Sequence, residues 1–243
     1  GSYDGTYEVS DAATNAAVQV TRTVNVTDQT APVISLVGAT PITVAFGSVY
    51  NDAGATAADN VDGNITASIV TTNLVNTSAV GTYTVTYNVS DAATNVATPV
   101  IRTVNVTDQT IPVITLLGAT PITIAHGSVY VDAGATALDN VDGNITANIV
   151  TVNPVNTNVV GVYTVTYNVS DAATNAAVQV TRTVNVTDQT APVITLVGAT
   201  PITIPFGVAY VDAGATALDN VDGNITANIV TVNPVNVNVI GSY

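Results

Sequence analysis

The chain contains no cysteine, lysine, methionine or tryptophan, and it has one histidine and two phenylalanines. Without cysteine there is neither a disulfide nor a thiolate metal site to supplement a small core. Without lysine there is no Lys–Asn isopeptide staple. A single histidine and no thiol cannot assemble a Ser–His–Asp or Cys–His set in each part of a repetitive chain. Positive charge is nearly absent too: three arginines face seventeen acids, for a formal charge of −14. That balance excludes a basic groove for nucleic acid and disfavours an anionic membrane surface. No stretch approaches ~18 consecutive apolar residues, so membrane insertion is not expected in this window. No leader pattern is present, and the composition suits a secreted protein whose leader lies elsewhere.

What the chain does have is a period of 80 residues. Asp28, Asp108 and Asp188 open the same D-Q-T-x-P-V-I phrase, and Gly81, Gly161 and Gly241 sit at one phase further on. Residues 9–34 match 169–194 without a change, and 107–162 differ from 187–242 at 9 of 56 positions. A period this long describes one small domain per repeat, not the 20–50-residue unit of a solenoid. The acids are equally patterned. Sixteen of the seventeen are Asp, the residue of turns, caps and oxygen-rich cation sites.

Within residues 28–107, Val, Ile, Thr and Tyr dominate, which predicts strands. Alternation is clearest over 83–89, where Tyr and Val share one face and Thr and Asn the other. Further runs lie at 33–37, 42–46, 53–58, 65–71 and 103–107, with a weaker one near 74–78. Seven short strands in about 80 residues predict an all-β chain of tandem immunoglobulin-like Greek-key β-sandwiches. Tyr83, just after Gly81, sits where such sandwiches place a tyrosine corner, and its hydroxyl would bond back to nearby backbone. A plain core aromatic is the alternative.

The phrases D-x-T-x-P-V-I-x-L, Y-x-D-A-G-A-T-A-x-D-N-V-D-G, V-G-x-Y-T-V-T-Y-N-V-S-D and R-T-V-N-V follow one another in order through the chain. In this the chain resembles the bacterial Ig-like repeats of large surface proteins and adhesins, relatives of hyalin-repeat and cadherin-like modules. That resemblance implies extracellular tandem arrays acting as stalks or fibres, and it specifies no ligand. One departure is S-D-A-A-T-N at 90–95, where Thr94 replaces the Gly expected in such a loop.

On the immunoglobulin plan, D-N-V-D-G-N (59–64) is the loop after the second main strand, and S-D-A-A-T-N joins the last two strands. Both belong at the pole where the preceding linker arrives. Asp28, Asp59, Asp62 and Asp91 are therefore expected to crowd one end of the sandwich. So are Asp108, Asp139, Asp142 and Asp171, and then Asp188, Asp219 and Asp222. Carboxylates in so small a space repel unless a cation lies among them. Ca²⁺ suits oxygen-rich loops of this kind, and at a junction it would stiffen the array. The competing reading is ordinary turns and caps with solvated charge. D-N-V-D-G-N only partly matches the opening of an EF-hand and lacks its downstream Glu, so that motif is rejected. Arg102, one per repeat, is expected along the sandwich edge or on a loop carboxylate. Asp52 is expected as a turn residue at the opposite pole. His126 takes the place of Phe46 and Phe206, which argues for structural tolerance. Recurrent Asn-x-Ser/Thr sequons are weak evidence of glycosylation in a chain so rich in Asn and Thr.

Phase then assigns the domains. Residues 1–26 hold the last two strands of an incomplete repeat, 27–106 and 107–186 are complete, and 187–243 lack their last two strands. The function expected is a non-enzymatic extracellular fibre or adhesin stalk at the cell surface. Its partners are neighbouring repeats, and each repeat would add roughly 30 Å if its strands run 8–9 residues. Two alternatives stay open: a glycan- or protein-binding module using the acidic loops, and a filament subunit that polymerises head to tail by strand complementation.

Overall fold

The computed structural model describes all 243 residues and divides into two compact units, Gly1–Thr110 and Ile111–Tyr243. The first unit opens with an antiparallel hairpin, β1 (Ser2–Tyr7) and β2 (Val20–Asn25). Then come β3 (Val33–Leu36), β4 (Ile42–Ala45), β5 (Ala55–Asp59), β6 (Gly63–Asn64), β7 (Val70–Asn73), β8 (Gly81–Asn88) and β9 (Val100–Thr107). These seven form a complete sandwich with sheet orders β3-β5-β6 and β4-β9-β8-β7. All pairings are antiparallel except β4 with β9, where Ile42 lies opposite Val104.

The period-2 pattern decides which side chains enter the core. On β8, Val85 and Tyr87 are fully buried, and on β9 so is Val104, while the intervening threonines face outward. Ile34, Ala57, Val89 and Ala97 complete the buried cluster. Each fully buried Val contributes about 1.5–3 kcal/mol, which is how a cysteine-free domain of this size holds together.

The second unit repeats the plan with β10 (Val113–Leu116), β11 (Ile122–Ala125), β12 (Ala135–Asp139), β13 (Gly143–Asn144), β14 (Val150–Val152), β15 (Gly161–Asn168) and β16 (Val180–Thr187). Its core gathers Ile114, Ala137, Ile145, Val165, Tyr167 and Val184. A three-stranded sheet follows: β17 (Val193–Leu196), β18 (Ala215–Asp219) and β19 (Gly223–Asn224). Residues 202–205 and 230–232, which correspond to β11 and β14, are not strands here. The strands that pair with β11 and β14 are β16 and β15.

Two expected strands differ. The run 65–71 breaks: Thr66–Ser68 forms a 3₁₀ turn, and the Thr66 hydroxyl accepts the Ala57 N–H at 3.0 Å. The strand begins only at Val70 and pairs with β8. Residues 74–78 are not a strand, because asparagine side chains supply local turn acceptors that compete with a ladder. Asn73 Oδ1 takes the Val75 N–H at 2.9 Å, and Asn76 Oδ1 takes that of Ser78 at 3.0 Å.

The tyrosine corner is present. Tyr83 donates its hydroxyl to the Ala79 carbonyl at 2.9 Å, as Tyr163 does to Val159 and Tyr243 to Val239. Thr94 meets the demand of its loop by adopting φ +70°, and Thr14 and Thr174 do the same. That left-handed conformation is unusual for a β-branched residue.

Candidate metal centre

Three chain segments deliver carboxylates to one pole of the first sandwich. Asp28 lies on the linker before β3, Asp59 ends β5, and Asp91 lies in the loop after β8. One carboxylate oxygen from each lies within 4.8 Å of the others. Local turn chemistry aims each of them. Asp28 Oδ1 accepts the Thr30 N–H at 3.0 Å. Asp59 Oδ1 accepts the N–H groups of Val61 and Asp62 at 2.8 and 3.0 Å. Asp91, buried to 7% exposure, is held by the backbone N–H and side-chain amide of Asn95, both at 2.7 Å.

The second oxygens of Asp28 and Asp59 are buried and have no hydrogen-bond partner. A buried carboxylate oxygen without a donor is costly, and a hard cation among oxygens satisfies it. The residues therefore fit a Ca²⁺-type ion. The Asp59 carboxyl is held below its ordinary range by the N–H groups of Asp62 and then Val61, so it is ionised and ready to coordinate.

Asp62 belongs to the same pole but is otherwise engaged. Its Oδ2 accepts the Ala92 N–H at 2.7 Å and ties the two acidic loops together. Asp142 makes the same bond to Ala172, yet in that repeat it brings a carboxylate oxygen within 4.8 Å of those of Asp108 and Asp139, and Asp171, also 7% exposed, is held by Asn175. At Asp139 burial raises the carboxyl, but the N–H groups of Asp142 and Val141 outweigh it and the net shift is downward. Asp108 caps its own turn through the Thr110 N–H at 3.0 Å. In the last repeat Asp188, Asp219 and Asp222 bring their oxygens within 4.8 Å of one another. Asp219 is lowered by the N–H groups of Asp222 and Val221, with a further contribution from the charge of His126.

His126 reaches this loop from the neighbouring repeat. Its Nε2 lies 2.9 Å from the Asn158 carbonyl and its Nδ1 lies 3.4 Å from the Asn220 amide nitrogen. The position that is Phe in other repeats thus contacts the acidic loop of the next one.

Arg102 stands elsewhere than expected, while Asp52 is in a turn before β5, where its carboxylate accepts the Gly54 N–H at 3.2 Å. Arg102 is 2% exposed and lies in the core, not along the edge or on the acidic loops. It shares the inward phase of Val104 and Val106 on β9. It pairs with Asp52 at 3.2 Å and donates to the Gly54 carbonyl at 2.9 Å. Asp52 also accepts the hydroxyls of Tyr50 at 2.9 Å and Tyr87 at 2.5 Å. Arg182, Asp132, Tyr130 and Tyr167 repeat the arrangement. The sequence signal for it was the coincidence of Tyr-x-Asp at 50–52 and 130–132 with one Arg per repeat, read together with the strand phase of that Arg.

The fold is a tandem series of immunoglobulin-like β-sandwiches with aspartates clustered at one pole. The chain belongs to the family described as bacterial surface protein, Ig-like domain, whose profile matches residues 34–106, 114–186 and 194–243. An uncharacterized 81.3 kDa protein of Acholeplasma phage L2 is 32% identical over 184 residues; the match covers 70% of this chain and 25% of that protein. The chain thus spans about a quarter of that relative's length. Among solved structures, a lipoprotein of Bacteroides thetaiotaomicron is 29% identical over 33% of this chain and 39% of its own, with a TM-score of 0.30. A Clostridium perfringens ZmpB structure containing a catalytic M60 domain and two carbohydrate-binding modules covers 86% of this chain and 35% of its own. It is 15% identical, with a TM-score of 0.34.

Proposed function

We propose that the chain is a length of extracellular stalk or fibre with no enzymatic role, built from Ig-like repeats whose acidic poles bind Ca²⁺ and stiffen the array. The observation that carries this reading is the convergence of Asp28, Asp59 and Asp91, with the buried second oxygens of Asp28 and Asp59 left without donors. Asp28 lies on the linker that joins one repeat to the next. An ion held there fixes the linker against the sandwich and removes a hinge. Asp108 and Asp188 stand at the same phase of the repeat, so the device recurs along the chain. Strands of 8 residues add roughly 27 Å per repeat, and reach scales with copy number.

Binding of Ca²⁺ stabilises the folded state by mass action. Calorimetric titration of the metal-free chain is expected to show saturable Ca²⁺ binding, with a rise in melting temperature that chelation reverses. Asp59→Asn should abolish the heat from its own repeat while leaving the metal-free melting temperature nearly unchanged. No binding heat at millimolar Ca²⁺ would remove the cation from the account.

A further inference from the structure

His126 stands in the turn that follows β11, at the point where the chain leaves its repeat. Its backbone N–H donates to the carbonyl of Thr187 at 2.9 Å, the last residue of β16 and the one before Asp188. Gly127 next to it donates to the Thr157 carbonyl at 2.7 Å. Phe46 and Gly47 make the same two bonds, to Thr107 and Thr77, at 2.9 and 2.7 Å. The turn is therefore a fixed part of the repeat, whichever ring it carries.

The ring of His126 adds two contacts that phenylalanine cannot make. Its Nε2 lies 2.9 Å from the Asn158 carbonyl, and a carbonyl only accepts, so Nε2 carries the proton. Nδ1 of the neutral ring is then an acceptor, and the Asn220 side-chain amide nitrogen, 3.4 Å away, donates to it. Asn220 belongs to the loop between β18 and β19 of the following repeat. One tautomer thus serves both contacts. Where Phe46 and Phe206 stand at this phase, the ring has no such bond to give.

We propose that His126 is a hydrogen-bonded latch that fixes the orientation of the next repeat without a cation, its partner being the D-N-V-D-G loop of that repeat. Through its backbone His126 holds the start of the linker, through Nε2 a loop of its own repeat, and through Nδ1 the acidic loop beyond. Those three segments define the joint. The latch rests on the stalk reading for its use, but it operates when no ion is bound. The array then contains joints of two kinds, and one keeps its setting after the cation is removed.

Distance measurement between two spin labels in excess chelator tests this. Labels at Thr151→Cys and Thr216→Cys, on β14 and β18, straddle the joint, and the chain has no cysteine of its own. The expected result is one narrow distance distribution. His126→Phe, a ring the same turn carries at Phe46, and Asn220→Leu should each lower the ratio of docked to undocked joints roughly two- to tenfold. The double variant should be no broader than either single one, because both remove the same contact. His126→Gln offers a donor and an acceptor on one amide and should recover part of the narrow peak. No recovery would assign the joint to ring packing and overturn the latch. A broad distribution in the chain with His126 and Asn220 intact would overturn it, as would an unchanged one in both single variants. Broadening in His126→Phe alone would confine the ring's role to its own repeat and overturn it too. Failure of Ca²⁺ binding would leave it standing.

Discussion

Tyr87 donates its hydroxyl to Oδ2 of Asp52 at 2.5 Å, across 35 residues of chain and within reach of a buried guanidinium. The bond joins a turn before β5 to the C-terminal end of β8, so the polar core forms only when both sheets are in place. It explains why a domain with so little charge buries an arginine in every complete repeat.

Removing one side of that pair should be severe. Asp52→Ala leaves Arg102 buried at 2% exposure without a counterion, and breaking such a pair costs about 3–5 kcal/mol. Denaturant unfolding of the chain is expected to show an early transition for that repeat. Replacing both partners together, as Asp52→Leu with Arg102→Met, should recover part of the loss.

The same network sets the pH limits. Burial works to raise the Asp132 carboxyl, but hydrogen bonds from Tyr167 and Tyr130 and the Arg182 charge outweigh it, so the folded pKa lies below 3.8. Its contribution is present above that value and is lost as pH falls through the folded pKa. Tyr167 is shifted the other way: burial, then the Asp132 hydrogen bond and charge, push its hydroxyl well above 10. That contribution is complete below 10 and is lost as pH rises through the folded pKa. Melting temperature is therefore expected to be flat between about pH 5 and 9 and to fall on both sides. Tyr167→Phe should reduce the alkaline fall, and the acid one as well, because it removes the first of the bonds that lower the Asp132 carboxyl.

Thr94 stands at φ +70°, where an L-residue with a branched Cβ is strained by about 1–2 kcal/mol. Glycine relieves that strain but adds freedom to the unfolded chain. Thr94→Gly should stabilise its repeat by up to about 1 kcal/mol in urea titration, with unchanged Ca²⁺ affinity. Thr94→Val should not stabilise it.

The hydroxyl of Tyr83 tests the corner separately. Tyr83→Phe removes its bond to the Ala79 carbonyl and is expected to cost about 1 kcal/mol. Binding of Ca²⁺ should not change, because the acidic pole receives no atom from Tyr83.

Alternation and turn spacing made the sandwich legible, since Tyr83, Val85 and Tyr87 share a phase that only a strand can place on one face. The break at Thr66 was not legible. It depends on a hydroxyl meeting the Ala57 N–H across the sheet, which no local pattern encodes. The acidic loops could be placed at one pole from topology alone, but how Asp62 divides its attention between pole and Ala92 could not. Arg102 was misplaced because its charge suggested an edge, while its phase with Val104 and Val106 pointed inward. The partner that makes burial tolerable, Asp52, lies 50 residues earlier in the chain.

A stalk stiffened by bound cation changes its dimensions when the cation is removed, which small-angle scattering of the chain with and without Ca²⁺ measures. The expected result is a longer, narrower distance distribution in Ca²⁺ that collapses to a broader one on chelation, with Asp28→Ala and Asp59→Ala remaining in the broad form throughout. Superimposable distributions in Ca²⁺ and in chelator would contradict it.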